Sequence, residues 1–163
     1  MIDRAKQLTS ITGPTLYCVQ FYINYGRAPM NDIRVRQALN YATNREEFNQ
    51  ATMNGLSEPA GIDLPSAHWA YDKAAATRYP YDPDKARALL AEAGFKDGID
   101  VAGLGYTDQR HVQRQEVLIE QYRKAGIRLK FTNGTIPEMT NAFFVEKKGD
   151  IYLSAWTGRP DPS

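Results

Sequence analysis

From residue 101 onward the chain alternates strand-like and helix-like segments with little between them, and no other feature limits the fold as strongly. Val101 to Tyr106 reads as a strand, and a helix follows from about Gln109 to Ala125, closed by Gly126. Ile127 to Thr132 is a second strand with Ile127, Leu129 and Phe131 in alternation. A helix from about Pro137 to Lys147, carrying Met139, Phe143 and Phe144, ends at Gly149, and Ile151 to Trp156 forms the last strand. The change of period from two to 3.6 and back separates the elements. Two strand–helix–strand units in a row need parallel neighbours joined by crossovers. The expected class is therefore α/β, with a mixed, largely parallel sheet flanked by helices. On the longest helix Val112, Ile119 and Tyr122 are inward candidates.

The preceding hundred residues supply the covering layers. Leu16 to Asn24 carries Val19, Phe21 and Ile23 on one side of a strand, bounded by Pro14 and by Gly26 to Pro29. Asp32 can cap a helix whose Val35, Ala38, Leu39 and Ala42 share a face, and Asn44 with Glu47 three residues on opens a second helix that Gly55 closes. From Leu56 to Tyr81 no period persists, and Pro59, Gly61, Pro65 and Pro80 interrupt any helix. A connection that long either crosses another surface or serves a binding site. Asp82 then caps a helix with Pro83 at its first position, Ala86, Leu89, Leu90 and Ala93 on one face, and Gly94 past its end, where Phe95 can fold back.

At 163 residues, 42% hydrophobic and 24% charged, the chain has the size and balance of one globular domain. Twenty basic residues against 19 acidic ones leave a net charge of +1, too little to draw it to nucleic acid. The single Cys18, inside an apolar stretch, reads as a buried core residue. No apolar run reaches the ~18 residues that span a bilayer. Met1 to Lys6 lacks the apolar region of a signal peptide, and both ends are expected to be cut edges of a longer protein.

An enzyme reading finds little to work with. There is no nucleophile elbow, no phosphate-cradling Gly-Lys-Ser loop and no Cys–His pair at useful spacing. His68 and His111 lie far apart and are expected in polar contacts, so no catalytic group, metal site or cofactor is assigned. Asp82, Asp84, Glu92 and Asp97 suit helix caps and solvated faces. Gly103-Leu104-Gly105-Tyr106 lacks the third glycine of a dinucleotide fingerprint. The ten Tyr and two Trp matter more, because Trp69-Ala70-Tyr71 and Trp156 stand where an amphipathic ring can meet a ligand or another domain.

Three stretches in order resemble one family. Ala28-Pro29-Met30-Asn31-Asp32-Ile33-Arg34-Val35-Arg36-Gln37-Ala38-Leu39-Asn40-Tyr41-Ala42 with Asn44-Arg45-Glu46, then Tyr81-Asp82-Pro83 through Ala93-Gly94-Phe95, then Trp156-Thr157-Gly158-Arg159-Pro160-Asp161-Pro162, are similar to the hallmark segments of family 5 extracellular solute-binding proteins. Lys124-Ala125-Gly126-Ile127 matches between them. The resemblance implies that residues 1–163 form a single lobe, the second lobe of a type II periplasmic binding protein-like fold. Such a lobe closes with a first lobe of the same full-length chain on a small-molecule or peptide-like ligand and passes it to an ABC permease in the membrane. It implies a monomer working in the periplasm or otherwise outside the cytoplasm. The competing reading is a protein-interaction or structural domain without a small ligand.

The resemblance also directs attention to the last loop. Where peptide-binding relatives place an Asp three residues after the Trp, this chain has Arg159, which reverses the charge. Trp156, Thr157 and Arg159 are the leading ligand-binding candidates, with Arg159 reaching an anionic group of the ligand or a first-lobe carboxylate. Tyr106, Asp108 and Arg110 are second-rank candidates, because α/β sites form at the carboxyl ends of parallel strands. Arg36 and Asn40 are expected to tie loops together through hydrogen bonds.

Overall fold

The computed structural model describes residue 13 and residues 15–158. Ten elements follow in order: β1 (Tyr17–Ile23), α1 (Ile33–Ala42), α2 (Arg45–Met53), α3 (Lys73–Ala76), α4 (Pro83–Glu92), β2 (Ile99–Tyr106), α5 (Gln109–Lys124), β3 (Ile127–Gly134), α6 (Ile136–Phe144) and β4 (Ile151–Thr157). The four strands form one sheet in the order β1-β4-β2-β3. β2 is parallel to both β3 and β4, while the edge strand β1 runs antiparallel to β4, with Tyr17 opposite Thr157 and Ile23 opposite Ile151. The mixed, largely parallel α/β sheet is as expected from the sequence. Pro14, expected to bound β1, lies outside the described residues.

Strand alternation divides the core into two. Val19, Phe21 and Ile23 of β1, Val101 of β2 and Ile151 and Leu153 of β4 pack with α1, α4 and α5 around Leu39, Leu90, Leu118 and Tyr122. On the opposite face Leu104, Tyr106 and Tyr152 pack with Phe143 of α6. The helices begin where capping chemistry allows. Asp32, Asn44, Asp82 and Asp108 each accept a backbone N–H of the following turn. A capping box of Thr135 and Glu138, missed in the sequence, starts α6. Phe95 folds back on α4 as expected, its N–H donating to the Leu90 carbonyl at 2.8 Å while Gly94 takes φ 95°.

The long connection between α2 and α4 is held down. The Arg45 guanidinium donates to the carbonyls of Ala60 (2.9 Å) and Tyr79 (3.3 Å) and to Asn40 Oδ1 (3.0 Å). Asp72 caps the short α3 within it. Arg36 donates to the carbonyls of Met30 and Asn31, so Arg36 and Asn40 have the scaffold roles expected of them. Cys18 is half-buried on the edge strand, a correction to the core placement, since only one neighbouring strand covers it.

Helix α5 departs most from expectation. Ile119 is exposed, and the buried stripe is Arg114, Gln115, Leu118, Gln121 and Tyr122. Gln115 spans β2 and β3, donating to the Tyr106 carbonyl and accepting from Asn133, while Gln121 donates to the Asn44 carbonyl and to Glu47. The glycines of the rejected fingerprint serve packing: a Cβ on Gly103 would strike the Phe131 ring, and one on Gly105 the Gln115 amide. Tyr122 is buried, with its hydroxyl 3.1 Å from Thr43 Oγ1.

Burial pushes the Tyr122 hydroxyl up to about 12, against 10.0 for a free side chain. Below the unfolded value both states hold the proton. As pH rises toward about 12 the unfolded chain loses it first, so up to about 3 kcal/mol of stability drains away through that window. Urea unfolding at about pH 8 and about pH 11 should show this loss, and Tyr122→Phe should shrink it. An equal alkaline decline in both proteins would contradict the assignment.

Candidate functional site

The parallel strands β2, β3 and β4 all end at one rim, where antiparallel β1 begins. A groove of about 530 Å³ opens there, lined by Tyr17, Thr52, Asp108, Gln109, Arg110, His111 and Gln113. It lies along the seam of α2 and α5, which Gln113 bridges by donating to the Ala51 carbonyl at 3.0 Å. Its size falls within the range of small-molecule sites.

The groove is built from the start of α5 outward. Asp108 is the N-cap: one carboxylate oxygen accepts the His111 N–H at 3.1 Å and the other lies 2.7 Å from His111 Nδ1. Partial desolvation acts to raise the Asp108 carboxyl, but the hydrogen bonds and charge of His111 together outweigh it and hold the group below the usual carboxylate range. The His111 ring sits edge-on to Tyr106 with centroids 4.6 Å apart. His111 Nε2 is buried and has no hydrogen-bond partner among the described residues. Arg110 is exposed on the groove wall.

The structure distributes the expected site residues unevenly. Asp108 and Arg110 line the groove, whereas Trp156 and Thr157 flank it on β4, with Thr157 paired to the groove residue Tyr17. Trp156 is 47% exposed and lies on the same side of β4 as Ser154, opposite to Thr157. Tyr106 is set back from the groove lining. It is 7% exposed, with its hydroxyl 2.5 Å from Tyr152 and 2.8 Å from Ser154 in a chain that continues to Thr140, so it supports His111 from beneath. Arg159 lies outside the described residues. Trp69, on the long connection, stacks with His68 at 5.6 Å, and neither lines the groove.

Sequence reasoning missed Tyr17, Thr52 and Gln113, and set His111 aside as a polar contact. The Asp108 and His111 spacing of three on a helix start was the available signal, because i and i+3 side chains meet.

The model of the bacterial extracellular solute-binding proteins, family 5 Middle, matches residues 1–163. The chain belongs to this family. It is 32% identical over 174 residues to the glutathione-binding protein GsiB of Salmonella choleraesuis, covering 99% of this chain and 33% of that protein. To heme-binding protein A of Haemophilus influenzae it is 30% identical over 163 residues, covering 96% of this chain and 29% of the relative. The structure of the binding protein AgaA with agropinic acid superposes with a TM-score of 0.79 at 25% identity, over 89% of this chain and 30% of that one. The chain thus spans about a third of the length of these family 5 relatives. The mixed sheet, with helices on its faces, is the architecture of their periplasmic binding protein structures.

Proposed function

We propose that this chain is a lobe of an ABC-importer solute-binding protein, which captures a small polar or peptide-like solute by closing against a first lobe and delivers it to a membrane permease outside the cytoplasm. The observation that carries the reading is the rim: the ends of three parallel strands meet a groove edged by an ordered His111–Asp108 pair and the cationic Arg110, with Trp156 half-exposed at the end of β4 on the other side of that strand. Family membership and relatives named for glutathione and heme support solute capture without a chemical step. In this reading Trp156, Thr157 and Arg159 line the cleft on one side and Asp108 and Arg110 on the other, with Tyr106 positioning His111. The protein acts as a monomer whose closure is driven by contacts that exist only when both lobes grip the solute.

Native mass spectrometry of the full-length protein, purified without refolding, tests this. A retained small mass is expected, together with at least a fivefold weaker affinity for that compound in Arg159→Ala. A full-length protein with no second lobe and no retained or titratable solute would refute the reading.

A further inference from the structure

Two Asn-Gly pairs occur in the sequence, Asn54-Gly55 and Asn133-Gly134. In such a pair the glycine nitrogen can attack the asparagine side-chain carbonyl, because no Cβ on the second residue hinders ring closure. The fold places the two pairs in opposite settings. Asn133 and Gly134 lie in β3, in register with Gly105 and Tyr106 of β2, and the Asn133 amide donates to Gln115 Oε1 at 2.9 Å. A Cβ on Gly134 would come within 2.7 Å of the Met139 side chain, so that backbone is wedged against α6. Asn54-Gly55 instead follows the last turn of α2. Both residues are exposed and left-handed, with φ 53° and 73°. Their two N–H groups share one acceptor, the Asn49 carbonyl, which Gly55 reaches at 3.2 Å. Ring closure needs Asn54 to turn its ψ away from 32° and Gly55 to give up that bond. Such an opening at an exposed helix end costs little, whereas freeing Asn133 requires unzipping a strand from the sheet.

We infer that Asn54 is a site of spontaneous covalent modification at the end of α2. The Gly55 nitrogen, losing its proton to solvent base, bonds to Asn54 Cγ. The Cγ–Nδ2 bond then breaks, and ammonia leaves with a proton returned from solvent, giving a cyclic imide. Water opens the imide at one carbonyl or the other and leaves aspartate or isoaspartate. Either product puts a carboxylate at the C-terminal end of α2, where the helix dipole opposes it. Isoaspartate also adds one atom to the main chain, within a turn that the Asn49 side chain staples through Ser57. Asn49 accepts the Ser57 N–H at 3.1 Å and donates to the Ser57 carbonyl at 2.7 Å. The turn so loosened adjoins Thr52, which lines the groove, and Ala51, whose carbonyl takes the Gln113 amide.

The test ages the 163-residue chain in mildly alkaline buffer and follows the peptides covering each pair. Mass spectrometry reads the change from amide to acid, and an isoaspartate-directed methyltransferase reports isoaspartate. Asn54 is expected to convert at least about tenfold faster than Asn133 in the folded chain, and at a similar rate in urea, where the fold no longer distinguishes them. Asn54→Gly, which keeps the left-handed turn without the amide, should lose the signal from that peptide. In the aged chain the amides of residues 54–57 should exchange hydrogen severalfold faster than in fresh protein. Conversion of Asn133 at or above the rate of Asn54, or an Asn54 that stays intact in the folded chain, overturns the site. Unchanged exchange at residues 54–57 overturns the loosening of the last turn of α2.

Discussion

Trp156→Ala is expected to weaken solute affinity of the full-length protein about 10–100-fold, while leaving the fold in place. The indole stands at the end of β4, about half open to solvent, so closing a cleft over it would remove a large apolar area from water. Covering the open part of such a ring is worth roughly 1.5–3 kcal/mol, and each 1.4 kcal/mol is about tenfold in affinity. The same exposure means that the core loses little when the side chain is removed. Calorimetry of the variant beside a urea unfolding curve separates the two effects. Affinity within twofold of the parent would take Trp156 out of the cleft.

The largest loss of stability should come from Leu153→Ala. Leu153 lies on β4, between β1 and β2, and is 1% exposed in the main core. Truncation leaves a cavity in a place where strands on both sides prevent collapse, at a cost of about 3–5 kcal/mol. Against a typical domain stability of about 5–15 kcal/mol this is a large fraction. The urea midpoint should fall with an unchanged slope. A loss below about 1 kcal/mol would show that the core closes around the gap.

The sequence made the helices legible where a polar cap preceded an apolar stripe, as at Asp32, Asn44 and Asp82, because each cap satisfies donors that otherwise stay bare. The inner face of α5 was hidden by the same logic. Counting apolar residues favours Ile119, but burial there falls to Arg114, Gln115 and Gln121, whose partners come from β2, β3 and the start of α2 and are invisible to a local pattern. The setting of Tyr106 was hidden for a related reason: its rim position was readable, but its hydroxyl contacts across β4 were not. That Asp108 and Arg110 stand at the rim was readable because strand order and helix starts follow from spacing, whereas Tyr17 and Thr52 meet the groove only through tertiary packing.

The antiparallel pairing of β1 with β4 continues past its ends, with the Gly158 N–H donating to the Leu16 carbonyl at 2.8 Å. Any polypeptide continuing from those two strands departs from neighbouring points, about 5 Å apart. Such a doubled ribbon resists sliding, because the ladder bonds lie across that movement, but it twists and bends out of plane at small cost. A body carried on it would swing about a narrow axis as a unit, leaving the geometry of the rim undisturbed.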